Sequence, residues 1–157
     1  MNMKKYKIFV SGVQKELKEE RRAIKDFVLK DALLSEYFDV FLFEDAPARS
    51  KSAENSYLGE VKKSDIYTGI LGTKYGSFAK GKISPTEAEF CEAKKSHKII
   101  LIYIKGKNSA SDRNREEGVR NFIKEIREPK TGFSYKRFLD TTELTRLVYA
   151  SMISSSI

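Results

Sequence analysis

Two hydrophobic periods alternate along this chain, and that alternation limits its folds more than any other feature. YKIFVS (Tyr6–Ser11), DVFLFE (Asp39–Glu44), DIYTGILG (Asp65–Gly72) and KIILIYIK (Lys98–Lys105) are short apolar runs rich in β-branched and aromatic residues, and SYKRFL (Ser134–Leu139) is a weaker fifth. Between them lie segments with helical spacing. Val13, Leu17, Ile24 and Val28 carry the first, up to about Leu34. SAENSYLGEVKKS (52–64), ISPTEAEFCEAKK (83–95), REEGVRNFIKEIRE (115–128) and TELTRLVYASMI (142–153) follow, the last opened by Asp140 with Glu143 three residues on. Strands alternating with helices predict a three-layer α/β/α domain around a parallel five-stranded sheet. Right-handed crossovers leave the flavodoxin-like order 2-1-3-4-5 as the commonest solution. Ile8, Val10, Ile70, Ile100 and Ile102 are its expected core, and KIILIYIK is expected to be buried on both faces.

A length of 157 residues suits one domain. No run of eighteen apolar residues is present, so no membrane partner is expected. The start, MNMKKYKIFVSG, has neither a long apolar stretch nor a small-residue cleavage site, and Cys91 is the one cysteine, so a reducing cytoplasm is the expected location. The closing SMISSSI reads as the end of an N-terminal module of a longer protein. A net charge of +8 points toward anionic partners. The lysines are nevertheless interleaved with acids, as in KELKEERRAIKD (15–26), and no aromatic-rich RNA-binding signature accompanies them. Nucleic acid is therefore not favoured over a nucleotide. One histidine, His97, and one cysteine build no zinc site of the usual kind, so no metal is expected. His97 reads as a turn residue, and Cys91 as a small helix residue packed on the sheet.

For strand order 2-1-3-4-5 the ligand crevice lies beyond the carboxyl ends of strands 1 and 3. The loops there are SGVQ (11–14) and the long GTKYGSFAKGKIS (72–84). Ser11 with Gln14 has capping-box form, and a helix start of that kind also offers N–H groups to an anion. The long loop carries Gly72, Gly76 and Gly81 with Lys74, Lys80 and Lys82, yet lacks the GxxxxGK[ST] pattern of a P-loop. Three glutamates follow. Ser84-Pro85-Thr86-Glu87 is a capping box with proline at the first helical position, which assigns Glu87 to the Ser84 N–H. Glu92, two turns in, reads as a solvated charge. Glu89 has no such local role and is the candidate to face a nucleotide cleft lined by Ser11, Gly12, Gly72, Tyr75 and Gly76.

The blocks KIFVSGVQKELKEERRAIKDFV, FLFEDAPARSKSAENSYLGEVKKSDIYTGILGTKYG and SPTEAEFCEAKKSHKIILIYIKG, with the final KRFLDTTELTRLVYAS, together resemble the family catalogued as domain of unknown function 4062. That family looks like a divergent branch of the TIR-like fold in bacteria and archaea, often followed by ATP-binding or other modules. TIR domains carry a catalytic glutamate on the helix after the third strand, in a pattern like W-C-x-x-E-L-x-x-A. Counted back from Ala93, the matching residue is Glu89. Nucleoside deoxyribosyltransferases share this architecture and also keep a glutamate four residues before an alanine. In both groups the carboxylate acts at a ribosyl C1′, with logic parallel to glycoside hydrolysis. The resemblance therefore implies hydrolysis of the N-glycosidic bond of NAD or a related nucleotide, in signalling or defence. No cofactor is implied, and NAD would be a substrate. The Trp-Cys pair is replaced by Thr86-Glu87, and no tryptophan is available to stack on a base, which leaves Tyr75 or Phe78 as substitutes. Since TIR domains also serve as interaction modules, the alternative is a non-catalytic module that self-associates or controls a C-terminal effector.

Overall fold

The computed structural model describes residues 4–50, 52–76 and 83–155. Its five strands are β1 (Tyr6–Ser11), β2 (Phe38–Phe41), β3 (Ile66–Leu71), β4 (Ile99–Lys105) and β5 (Tyr135–Phe138). They form one sheet of order β2-β1-β3-β4-β5, and every neighbouring pair is parallel. The helices are α1 (Lys18–Lys30), α2 (Leu34–Tyr37), α3 (Ala53–Lys63), α4 (Pro85–Lys95), α5 (Glu117–Ile126) and α6 (Thr141–Ser155). The flavodoxin-like α/β arrangement is thus the one that the alternation of periods predicts.

Period two along the strands divides the core in half. Ile8, Val10, Ile66 and Ile70 point to one face, where Leu17, Ile24 and Val28 and then Leu144, Val148 and Met152 cover them. Phe9, Tyr67, Leu71, Ile102 and Ile104 point to the other, beneath Val61, Phe90, Ala93 and the stripe Val119, Phe122, Ile123 and Ile126. Each fully buried side chain of this size contributes about 1.5–3 kcal/mol relative to exposure. β3 is buried along its whole length, as befits a central strand. β4 is not: only Ile102–Ile104 are buried, Ile100 is half-buried and Ile99 is exposed. β4, next to the edge strand β5, thus shares the burial of a central strand only in part.

Side-chain caps open α3, α4 and α6. Ser52 accepts the Asn55 N–H onto α3. Asp140 accepts the Glu143 N–H at 2.8 Å, while the Glu143 carboxylate reaches back to the Leu139 N–H at 2.7 Å. The expected box at Ser11 and Gln14 is absent. α1 begins only at Lys18 with no side-chain cap, because a separate turn closed by Leu17 N–H to Val13 C=O precedes it. Ser11 is thereby released from any capping duty. His97, the one non-glycine residue at positive φ (56°) among those described, ends α4. Its N–H bonds Lys94 C=O and the Lys98 N–H bonds Ala93 C=O, the paired bonds of a Schellman motif.

Candidate functional site

Along α4 the buried residues are Thr86, Glu89, Phe90 and Ala93, spaced i, i+3, i+4 and i+7. That is the stripe a helix lays on a sheet. Phe90 and Ala93 fit it, and Glu89 is the anomaly: a carboxylate with only 7% exposure, on the inward face. Ser11, the last residue of β1 and fully buried, donates its hydroxyl to Glu89 Oε1 at 2.6 Å. From β3, the Tyr67 hydroxyl donates to Thr86 C=O at 3.3 Å and steadies the turn beneath Glu89. Burial pushes the Glu89 carboxyl up to about 7, against the pull of the Ser11 hydrogen bond and the Arg21 charge, while Glu44 adds to the rise. Burial first, and the Glu89 charge second, hold the Tyr67 phenol well above its usual range, so it remains a neutral donor.

Arg21 of α1 organises the opposite wall. It is almost fully buried, donates from Nη1 to Gly12 C=O at 2.8 Å, and forks onto both Glu44 oxygens at 2.8 and 2.7 Å. Arg22 forks onto both Asp45 oxygens, and Lys25 donates to Asp45 Oδ2 at 2.7 Å. These bonds clamp the 3-10 turn Phe43–Asp45 onto α1 and set Phe43 edge-to-face with Tyr57 of α3, centroids 6.1 Å apart. The result is a cavity of about 350 Å³ lined by Gly12, Arg21, Phe43, Tyr57, Gly76 and Glu89 among others. Gly12 allows the close wall: a Cβ there would stand 3.0 Å from Ile70 C=O.

Of the sequence candidates, Gly12, Gly76 and Glu89 meet at this cavity, and Ser11 reaches it through its bond to Glu89. Gly72 and Tyr75 do not line it. The Gly72 carbonyl accepts from Arg115 at 2.8 Å, and a Cβ at this residue would collide with the Glu16 carboxylate. The Tyr75 ring lies on Gly118, its hydroxyl donates to Glu87 Oε1 at 2.7 Å, and it faces a neighbouring cavity of about 730 Å³. This corrects the Glu87 assignment. Ser84 Oγ accepts the Glu87 N–H at 3.2 Å, but the Glu87 carboxylate serves Tyr75. Glu92 is not a free solvated charge either, since it accepts from Ser96 Oγ at 2.7 Å. Cys91 is exposed and does not pack on the sheet. Partial desolvation and the nearby Glu87 and Glu125 raise its thiol, which disfavours nucleophilic use. Phe78, Lys80, Gly81 and Lys82 lie outside the described residues.

Arg21, Glu44, Phe43 and Tyr57 escape the sequence reading. The signal for Arg21 was present: Leu17, Arg21, Ile24 and Val28 share one helical stripe, and an arginine inside an apolar stripe calls for a buried partner. Among the described residues no group of three or more His, Cys, Asp or Glu is placed to hold a metal, and no helix is long and apolar enough to cross a membrane.

In overall shape the chain is similar to the CMP N-glycosidase BcmB of Clostridium botulinum, with TM-score 0.57 and 12% identity over 92% of this chain and 98% of that one. It is also similar to translation elongation factor SelB of Methanococcus maripaludis in complex with the GTP analogue GppNHp, with TM-score 0.59 and 14% identity over all of this chain and 36% of the other. At these identities the likeness establishes the fold. No curated protein matches the chain in sequence. A family profile matches residues 7–153, nearly the whole domain, and the chain belongs to that family, described as Domain of unknown function (DUF4062).

Proposed function

We propose that this domain binds a nucleotide at the switch point between β1 and β3 and hydrolyses its N-glycosidic bond, with Glu89 as the acting carboxylate. One observation carries the reading: a carboxylate 7% exposed, oriented by the Ser11 hydroxyl at 2.6 Å, in a largely apolar cavity at the carboxyl ends of the central strands. A buried acid on a core stripe is destabilising in itself, so a structural role does not account for it. Its pKa of about 7 keeps both protonation states populated at neutral pH. In the ionised form it opposes the positive charge that develops at C1′ as the C1′–N bond breaks. The bonding pair leaves with the base, water supplies hydroxyl to C1′, and the remaining proton goes to the base or to solvent. Phe43 and Tyr57 supply apolar walls suited to the flat face of a base, a place that Tyr75 does not take. The CMP N-glycosidase with this fold supports the reading by analogy only. NAD and nucleoside monophosphates are the substrate classes to test first.

The test is incubation with a panel of NAD, ribonucleotides and deoxyribonucleotides, with chromatography for free base or nicotinamide. Release from one class, abolished by Glu89→Gln in a folded protein, is the expected result. Release that persists unchanged in the variant would remove Glu89 from the chemistry. A second reading, self-association in a signalling assembly, is favoured by exposed Leu33, Tyr37 and Ile153 around an apolar groove of about 330 Å³ between α2 and α6. Concentration-dependent growth in size, lost on Tyr37→Ser, would support it.

A further inference from the structure

The larger cavity beside the Glu89 site holds a built anion clamp that the protein fills with its own carboxylate. Where the chain leaves β3, the Thr73 N–H donates to Glu16 Oε2 at 2.8 Å and the Lys74 N–H donates to Glu16 Oε1 at 3.0 Å. Two successive backbone N–H groups thus grip two oxygens of one anion. The next, Tyr75 N–H, donates to Glu116 Oε1 at 2.7 Å. Successive N–H groups aimed into a concavity make a general site for oxyanions, phosphate above all. Gly72 is part of the construction, since a Cβ there would stand 2.6 Å from Glu16 Oε1 and close the clamp to any oxyanion. Lys15 and Lys74 line the same cavity of about 730 Å³, and no ion pair joins either ammonium to a described carboxylate. Val13 and Gly76 belong to the walls of both cavities, so a ligand with its sugar at Glu89 can extend into the clamp.

We propose that the Thr73 and Lys74 N–H groups, with the Lys15 and Lys74 ammoniums, form a phosphate subsite, and that Glu16 is an internal plug which the phosphate of an incoming ligand displaces. A carboxylate tethered to this chain offers the clamp two oxygens and one charge. A phosphate offers three oxygens and up to two charges, and the two lysines reward the extra charge. The exchange leaves Glu16 free to turn into solvent, because the clamp bonds are at the surface. The proposal rests on the nucleotide reading only in attaching this phosphate to a nucleoside.

Inorganic pyrophosphate is therefore the probe, titrated into the whole chain by calorimetry and by amide chemical shifts. The wild-type protein is expected to bind weakly, with the largest shifts at Thr73 and Lys74. Glu16→Ala is expected to bind at least tenfold more tightly, and Lys15→Ala in that background to lose the gain. Unchanged affinity in a folded Glu16→Ala protein, or shifts centred elsewhere, would overturn the proposal and show Glu16 to be a loop latch only. Should Glu16→Ala fail to fold, the wild-type shifts decide the matter alone. Binding of pyrophosphate without base release would leave this subsite standing and the glycosidase reading refuted, and the converse holds as well.

Discussion

Replacing Glu89 by glutamine should stabilise the protein, and only above a definite pH. The carboxyl titrates near 4.5 in an unfolded chain and near 7 in the native cavity, where burial disfavours its charged form. Below about pH 4.5 it is neutral in both states and costs nothing. As pH rises the unfolded chain ionises first, so the native state loses ground until the pH passes 7, and the loss is constant beyond that. A separation of this size corresponds to about 3 kcal/mol at pH 8. The amide keeps the shape, and its oxygen still accepts from Ser11. Glu89→Gln should therefore gain about 3 kcal/mol in urea unfolding at pH 8, roughly 6–12 °C in melting temperature, and nothing at pH 4. An equal or lower stability of the variant at pH 8 would show that Arg21 and Ser11 fully compensate the buried charge, and the argument for a strained functional carboxylate would fail.

Three further outcomes follow from the packing. His97→Gly should add about 0.5–1 kcal/mol at neutral pH by relieving the left-handed residue that closes α4, read as a higher urea midpoint at constant slope; a loss would contradict the Schellman assignment. Thr68 Oγ1 is buried with no hydrogen-bond partner among the described residues, so Thr68→Val should be neutral to about 2 kcal/mol stabilising in the same assay, and a clear loss would reveal a partner. Tyr75→Phe and Glu87→Ala should each cost about 1 kcal/mol and, in a double-mutant cycle, couple by about as much, whereas additive effects would deny the Tyr75–Glu87 bond.

The sheet was legible because the chain writes period two and period 3.6 in separate blocks, and strand order follows from handedness once the blocks are counted. The inward position of Glu89 beside a cavity was expected by elimination, and from the resemblance that places it four residues before Ala93. The other half of the cavity was not. Arg21 and Glu44 are 23 residues apart and look like ordinary surface charges until α1 and the turn after β2 are packed together. Phe43 was expected within the strand Asp39–Glu44, where the chain instead makes a 3-10 turn, and Tyr57 within a helix, and only the ion-pair clamp on Glu44 and Asp45 turns both into one wall. The Glu87 error has the same origin. Its capping motif is local, but a tyrosine twelve residues back competes for the carboxylate through the tertiary fold.

The most direct measurement is a crystal structure of Glu89→Gln soaked with an intact nucleotide that the wild-type protein cleaves or, failing that, binds. The account predicts the base against Phe43 and Tyr57 and the anomeric carbon about 3–3.5 Å from the side chain at position 89, the separation a reacting pair requires. A nucleotide seated elsewhere on the sheet, or one in the cavity with its glycosidic bond turned away from position 89, would contradict it.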